Sequence, residues 1–203
     1  MRLDQTSRRH NRMNIDEPLK ELGPVDADRL REKILALDEE AWLENERRQT
    51  DYEVHRQTRS IVMVFCDGPM DDLIVTKSEG WDRLADVAVP VMHDLINRHY
   101  QPGGTVIRAM AANLLPGGRI NPHFDSHPTF RHSHRIHVPI TTNNRVRFMI
   151  DGRPYRLQVG QAYELNNQKT HSVMNSGKEE RITFIFDYMP PDEIAHREFQ
   201  AAN

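Results

Sequence analysis

The second half of the chain is broken by turn signals at short intervals. Pro102-Gly103-Gly104, Pro116-Gly117-Gly118, Asn143-Asn144, Asp151-Gly152 and Asn175-Ser176-Gly177 follow one another with strand-length runs between them. Glycine and asparagine tolerate the backbone that tight turns need, and proline presets one of its dihedrals. Short strands separated in this way are most naturally paired in an antiparallel barrel or sandwich. The composition agrees: 37% of residues are hydrophobic and the mean hydropathy is -0.72. Such values suit strands in which every second residue faces water.

Alternation assigns side chains to faces. In Arg135-Ile136-His137-Val138-Pro139-Ile140, the apolar Ile136, Val138 and Ile140 share one face, and Arg135 and His137 share the other. From Arg181 to Tyr188, Ile182, Phe184 and Phe186 face one way while Arg181, Thr183, Ile185 and Asp187 face the other. The turn at Asn175-Ser176-Gly177 predicts that His171-Ser172-Val173-Met174 folds back against the strand beginning at Arg181. His171 and Arg181 would then stand nearly opposite each other, separated by about the length of a small dicarboxylate.

A chain of 203 residues is sized for one domain with one substantial core. Residues 1–24, with Arg2, Arg8, Arg9 and Arg12 and little apolar periodicity, read as a flexible arm. Asp26 is a candidate N-cap for a helix running to about residue 49, with Leu30, Ile34, Leu37 and Ala41 at helical spacing. Residues 60–65 form a continuous apolar run ending at Asp67-Gly68-Pro69, which suits a buried strand. Trp81, Leu84, Ala88, Val91 and Leu95 mark a second helix, which Pro90 should kink or divide. These N-terminal helices are expected to pack on one sheet of a single domain spanning residues 25–191, with residues 192–203 as a C-terminal tail.

Charge and cysteine content narrow the classes of function. There are 27 basic and 30 acidic residues, a net charge of -3, so no global positive field gathers nucleic acid or an anionic membrane. The single cysteine, Cys66, excludes an intramolecular disulfide framework and points to a reducing, cytoplasmic setting. No signal-peptide core and no run of 18 apolar residues is present, which disfavours secretion and membrane spanning.

The chemistry concentrates in His123-Phe124-Asp125, His171 and Arg181. Two histidines and a carboxylate on neighbouring strands can occupy one face of an octahedral iron(II), leaving three positions open for a cosubstrate and oxygen. The order His123-x-Asp125, Arg135-Ile136-His137, His171, Arg181 resembles the aspartyl/asparaginyl β-hydroxylase family of iron(II)/2-oxoglutarate oxygenases, over roughly residues 105–189. That resemblance implies a mostly β, double-stranded β-helix (jelly-roll, cupin-like) fold. It implies His123, Asp125 and His171 as catalytic iron ligands, and Arg181 pairing with the far carboxylate of 2-oxoglutarate, assisted by His137 and Arg135. It also implies hydroxylation of an aliphatic carbon by O2, with release of succinate and CO2. The family's animal members lack the ligand carboxylate that this chain keeps in Asp125, so their substrate is not carried over.

Guanidinium holds a remote carboxylate with two parallel hydrogen bonds that an ammonium cannot reproduce, which suits Arg181. Arg131, Arg119 and His134, clustered with His127 and His132 around the first motif, are candidates for holding a substrate carboxylate on an amino acid, a small metabolite or a peptide residue. Arg145, Arg147, Arg153 and Arg156 read as the outer face of a hairpin, and Asn166, Asn167 and Lys169 as a turn before His171. Two other classes stay open: a non-catalytic jelly-roll module that senses metal and 2-oxoglutarate, and a zinc hydrolase using the same ligands. The hydrolase lacks an obvious general base and leaves Arg181 unexplained. The sequence carries no signal for oligomeric state.

Overall fold

The computed structural model describes residues 15–43, 58–194 and 198–201. Strand β1 (Leu19–Pro24) precedes helices α1 (Asp28–Leu35) and α2 (Glu39–Leu43), strands β2 (Thr58–Asp67) and β3 (Asp72–Lys77), and the long helix α3 (Glu79–His99). Then come β4 (Thr105–Leu114), β5 (Arg119–His123), β6 (His134–Pro139), β7 (Val146–Ile150), β8 (Arg153–Tyr155), β9 (Gln161–Leu165), β10 (His171–Asn175) and β11 (Arg181–Met189). A one-turn helix α4 (Pro191–Ile194) and β12 (Glu198–Ala201) follow.

The strands form an eight-stranded sheet, ordered β1-β9-β6-β11-β4-β2-β3-β12, and a four-stranded sheet, ordered β5-β10-β7-β8. Pairing is antiparallel except between β12 and β3. From β4 to β11 the chain passes back and forth between the two sheets, which is the winding of a double-stranded β-helix. The fold is therefore the jelly roll that the turn spacing and the resemblance imply.

The main apolar core lies outside the sandwich, between the large sheet and the helices. Ile136, Val138 and Ile140 from the β6 segment and Ile182, Phe184 and Phe186 from β11 pack there with Leu84, Ala88, Val91 and Leu95 of α3 and Leu30 and Ile34 of α1. The alternation read from β6 and β11 holds. The opposite faces of these strands turn towards the small sheet, and the polar residues of the site sit there. β2 is buried along nearly its whole length: Ile61, Met63 and Val64 join the main core under the helices, and Cys66 joins a second cluster with Leu73, Ile107 and Met189, which accounts for its unbroken apolar run.

Several expectations need correction. The chain from Leu19 to Pro24 is not part of an arm: it pairs with β9, with a bulge at Gly23 (φ 85°), and buries Leu22 in the main core. Residues 1–14 lie outside the described residues. The helix expected from residue 26 to 49 is two short helices. Ala27 takes the N-cap position without a side-chain cap, and Asp38 accepts from the Ala41 amide at 3.0 Å to open α2; residues 44–57 are outside the described part. Helix α3 runs through Pro90 without a break, since Pro90 is on its exposed side. The C-terminal tail contains α4 and an edge strand, β12. No helix among the described residues is long and apolar enough to cross a membrane.

Helix α3 meets β2 at its first turn, where Ser78 donates its amide to Met63 O at 2.9 Å. A Cβ on Gly80 would collide with the backbone carbonyl of Val62, and backbone yields less readily than a side chain. Gly80→Ala is therefore expected to destabilise the fold by about 1–3 kcal/mol through overpacking, despite alanine's higher helix propensity. Urea unfolding followed by circular dichroism measures this.

A candidate metal centre between the sheets

β10 lies between β5 and β7 in the small sheet, and its register places His171 directly opposite His123. The two imidazoles face each other with ring centroids 4.4 Å apart. Asp125 follows β5 and is drawn towards His171 by its amide, which donates to Asn167 O at 2.9 Å, and by Gln168 Nε2, which donates to Asp125 O at 2.9 Å. The turn before His171 thus anchors the third member of the cluster. One nitrogen from each histidine and one oxygen of Asp125 all lie within 4.8 Å of one another. Nδ1 of His123 is 2.8 Å from Asn121 O, and Nδ1 of His171 is 2.9 Å from Lys169 O. Those carbonyls can only accept, so the proton is on Nδ1 and the Nε2 lone pairs are free for a metal. His123 Nε2 is 3.8 Å from Asp125 Oδ1. Burial holds the pKa of His171 below its ordinary value, against the pull of Asp125, and this keeps the imidazole in its ligating form.

The cluster lines a cavity of about 420 Å³ between the sheets. Across it from the small sheet, the large sheet contributes Arg108, Ala112 and Leu114 from β4, Arg135 and His137 from β6, and Arg181 and Ile185 from β11. Phe65, Phe124 and Phe130 also line it, and Phe124 is more than half exposed. Arg181 is 6% exposed, and burial alone pulls its pKa down to about 10. Among the described residues no carboxylate pairs with it; its guanidinium carbon lies 5.8 Å from the centre of the Phe148 ring. His137 is buried with both ring nitrogens lacking a hydrogen-bond partner, and the Thr183 hydroxyl, on the Arg181 face of β11, also lacks one. Burial, with Arg135, Arg181 and His171 nearby, holds the His137 pKa well below 6.5.

The expected hairpin between the His171 segment and the Arg181 strand does not form. β10 and β11 belong to different sheets, so His171 and Arg181 meet across the cavity rather than along a strand pair. Arg135 is committed elsewhere: its Nη1 donates to Asp125 Oδ2 at 2.9 Å and lies 3.6 Å from Asp187 Oδ2. Asp187 is fully buried; burial raises its pKa against the pull of Arg135 and Arg108.

The three substrate candidates do not line the cavity. His134 pairs with Glu164 and stacks on Tyr100, on the helix side of the sheet, as its shared parity with Ile136 requires. Arg131 is exposed and donates to Gln168 Oε1 at 3.2 Å. Arg119 is turned out by a bulge: two residues, Asn121 and Pro122, lie between Ile120 and His123 where only Ser172 lies between His171 and Val173, so Ile120 and His123 share the inner face and Arg119 does not. The cavity charge that sequence reasoning missed is Arg108, which lies 3.6 Å from Asp187 and donates to Thr129 Oγ1 at 2.9 Å. Arg108 is the one charged residue of β4, and Asp187 shares the Arg181 face of β11, a signal that was available. Arg145, Arg147, Arg153 and Arg156 are exposed, as expected of an outer face.

A jelly roll that carries a two-histidine, one-carboxylate cluster on its inner face is the framework of an oxygenase-type hydroxylase. The chain matches the family model described as aspartyl/asparaginyl beta-hydroxylase over residues 35–191, and it belongs to that family. No curated protein matches it. Among solved structures, a non-heme monooxygenase, ThoJ, in a nickel complex is similar in fold (14% identity, TM-score 0.52, 86% of this chain and 74% of that one). A 2OG-Fe(II) oxygenase-family oxidoreductase from Burkholderia pseudomallei aligns at 10% identity and TM-score 0.49, over 65% of this chain and 67% of that one. The collagen prolyl hydroxylase of Paramecium Bursaria Chlorella virus-1, in its 2OG complex, aligns at 10% identity and TM-score 0.48, over 86% and 97%.

The depressed pKa of His137 makes stability depend on pH. The folded protein keeps this imidazole neutral as pH falls, while the unfolded chain takes up a proton near 6.5. Its contribution is thus complete above that value and declines as pH drops below it, by at most about 1.4 kcal/mol per pH unit for one group. The raised Asp187 works in the opposite sense, so the test is a difference. In metal-free protein, thermal midpoints between pH 7 and pH 5 are expected to fall less steeply for His137→Asn than for the parent.

Proposed function

We propose that the protein is an iron(II)/2-oxoglutarate-dependent dioxygenase that hydroxylates an aliphatic carbon of a carboxylate-bearing amino acid, metabolite or peptide residue. The observation that carries this reading is Arg181, a buried cation with no counter-ion among the described residues, on the wall of the cavity that holds His123, Asp125 and His171. An uncompensated buried charge is costly, and a ligand carboxylate offsets that cost with two charge-assisted bonds. The unpartnered nitrogens of His137 and the hydroxyl of Thr183 supply further polar contacts for the same group. A hydrolase would use the metal cluster but not this end of the cavity.

His123, Asp125 and His171 would hold the iron through Nε2, a carboxylate oxygen and Nε2, a donor set that suits iron(II). When bound, iron and the oxo acid supply oxygen activation coupled to decarboxylation, which yields succinate and CO2. The residues of the chain have simpler duties. Arg181 binds and orients the far carboxylate, and His137 donates one N–H to it from the neighbouring strand. Phe65, Phe124 and Phe130 give the mouth an apolar wall that excludes water. Arg135 acts on Asp125 rather than on the cosubstrate. The cavity wall carries the guanidiniums of Arg108, Arg135 and Arg181 against the carboxylates of Asp67 and Asp125, with Asp187 close to Arg108 and Arg135. A substrate carboxylate would be presented to Arg108 and His127, which line the cavity, rather than to Arg131, Arg119 or His134, which do not.

Succinate release from 2-oxoglutarate in the presence of iron(II), ascorbate and a panel of amino acids, carboxylated metabolites and peptides tests the activity. Stimulation by a carboxylated compound is expected. Preferential hydroxylation of a neutral or cationic compound would overturn the substrate class. An intact metal-loaded protein that binds 2-oxoglutarate without releasing succinate would be a sensing module. Alanine at His123, Asp125 or His171 should each abolish stoichiometric metal binding while the fold survives. Arg181→Ala should retain the metal and weaken 2-oxoglutarate by on the order of 2–5 kcal/mol, roughly 30-fold to several thousand-fold. Arg181→Lys should recover only part of that loss. Calorimetric titration into the manganese(II) protein measures both.

A further inference from the structure

We propose that Asp187 is a positioning residue for the metal ligand Asp125, acting through Arg135. The proposal rests on the reading that His123, Asp125 and His171 hold the metal. β11 runs between β4 and β6, and Asp187 is the register partner of Arg108 on one side and of Arg135 on the other. Its Oδ2 lies 3.6 Å from Nη1 of each arginine, and neither of its oxygens has a hydrogen-bond partner among the described residues. The Nη1 of Arg135 that approaches Asp187 is the same atom that donates to Asp125 Oδ2 at 2.9 Å. One nitrogen therefore stands between two carboxylates. Phe130 covers both guanidiniums, its ring centre 4.6 Å from the carbon of Arg108 and 4.7 Å from that of Arg135.

This arrangement decides what Asp125 can offer a metal. A guanidinium facing a single carboxylate tends to engage both of its oxygens in parallel, and Asp125 held in that way would have no oxygen free. With Asp187 on its other side, Arg135 contacts Asp125 through one nitrogen and one oxygen. Oδ1 is left on the His123 side of the carboxylate. Asp187 also neutralises Arg108, which would otherwise place a second unbalanced cation behind a site for a divalent metal. Packing alone does not account for the residue. Phe184, Phe186 and Tyr188 fill the core from β11, whereas a buried carboxylate without hydrogen bonds is a poor substitute for an apolar side chain of the same volume.

The test is manganese(II) affinity, measured by calorimetry without 2-oxoglutarate. Asp187→Asn keeps the shape and removes the charge, and affinity is expected to fall about 10- to 100-fold, the range seen when groups behind metal ligands are altered. Adding Arg108→Gln to that variant removes the excess positive charge and should restore part of the affinity. If Asp187 served the fold alone, losing a second buried partner would deepen the defect. Unchanged affinity in Asp187→Asn, or a double variant weaker than the single one, overturns the proposal. Should Asp187→Asn fail to fold, Arg108→Gln alone decides. It frees Asp187 to draw on Arg135, so manganese(II) affinity should rise, and an unchanged or lower affinity is the contrary result. Parent protein that binds no manganese(II) would instead remove the metal reading itself.

Discussion

Four charged side chains, Arg108, Arg135, Arg181 and Asp187, are buried on the inner face of the large sheet, and the rest of the molecule is arranged around the cost of keeping them there. Charge taken out of water is destabilising unless it is paired, and only part of this group is paired within the chain. The offsetting stability comes from the other side of the same strands. Every second residue of β6 and β11 faces the helices, where Ile136, Val138, Ile182, Phe184 and Phe186 pack against α1 and α3. A strand's period of two lets one backbone serve both purposes. The helices are therefore more than decoration on a β fold: they supply the apolar contacts that the sandwich interior gives up to its cavity.

The side chains of the candidate metal cluster, by contrast, are held by backbone. His123 and His171 are register partners, each imidazole is oriented by a carbonyl two residues earlier in the chain, and the Asp125 amide is tied to the turn before His171. None of these contacts needs a metal, so the geometry stands before a metal arrives, which limits the reorganisation that binding requires.

The parts of this design that were legible in the sequence are those governed by local rules. Alternation in the Arg135 and Arg181 strands named the core-facing and cavity-facing residues correctly, and residue type with spacing identified the His-Asp-His set. Failures came where a non-local partner or a local irregularity decided the outcome. The Asn175-Ser176-Gly177 turn resembles a hairpin turn, yet it carries the chain from one sheet to the other, a choice set by the whole jelly roll. β1 has little alternation because it lies at a sheet edge, and its place there depends on β9. Arg135 shares a face with His137, but its partners, Asp125 and Asp187, lie on other segments of the chain.

The bulge in β5 has a consequence for how the gene can vary. Asn121 and Pro122 occupy the extra step that places both Ile120 and His123 on the inner face, and Asn121 also lends its carbonyl to the His123 ring. Deleting either residue would restore even alternation and turn one end of the strand outward, without altering the composition of the site. The motif is thus sensitive to length as well as to identity. Insertions and deletions should be tolerated in the exposed hairpin turn at Asp151-Gly152 and excluded between Ile120 and Asp125, so a library that recombines this protein with relatives should hold that interval at constant length.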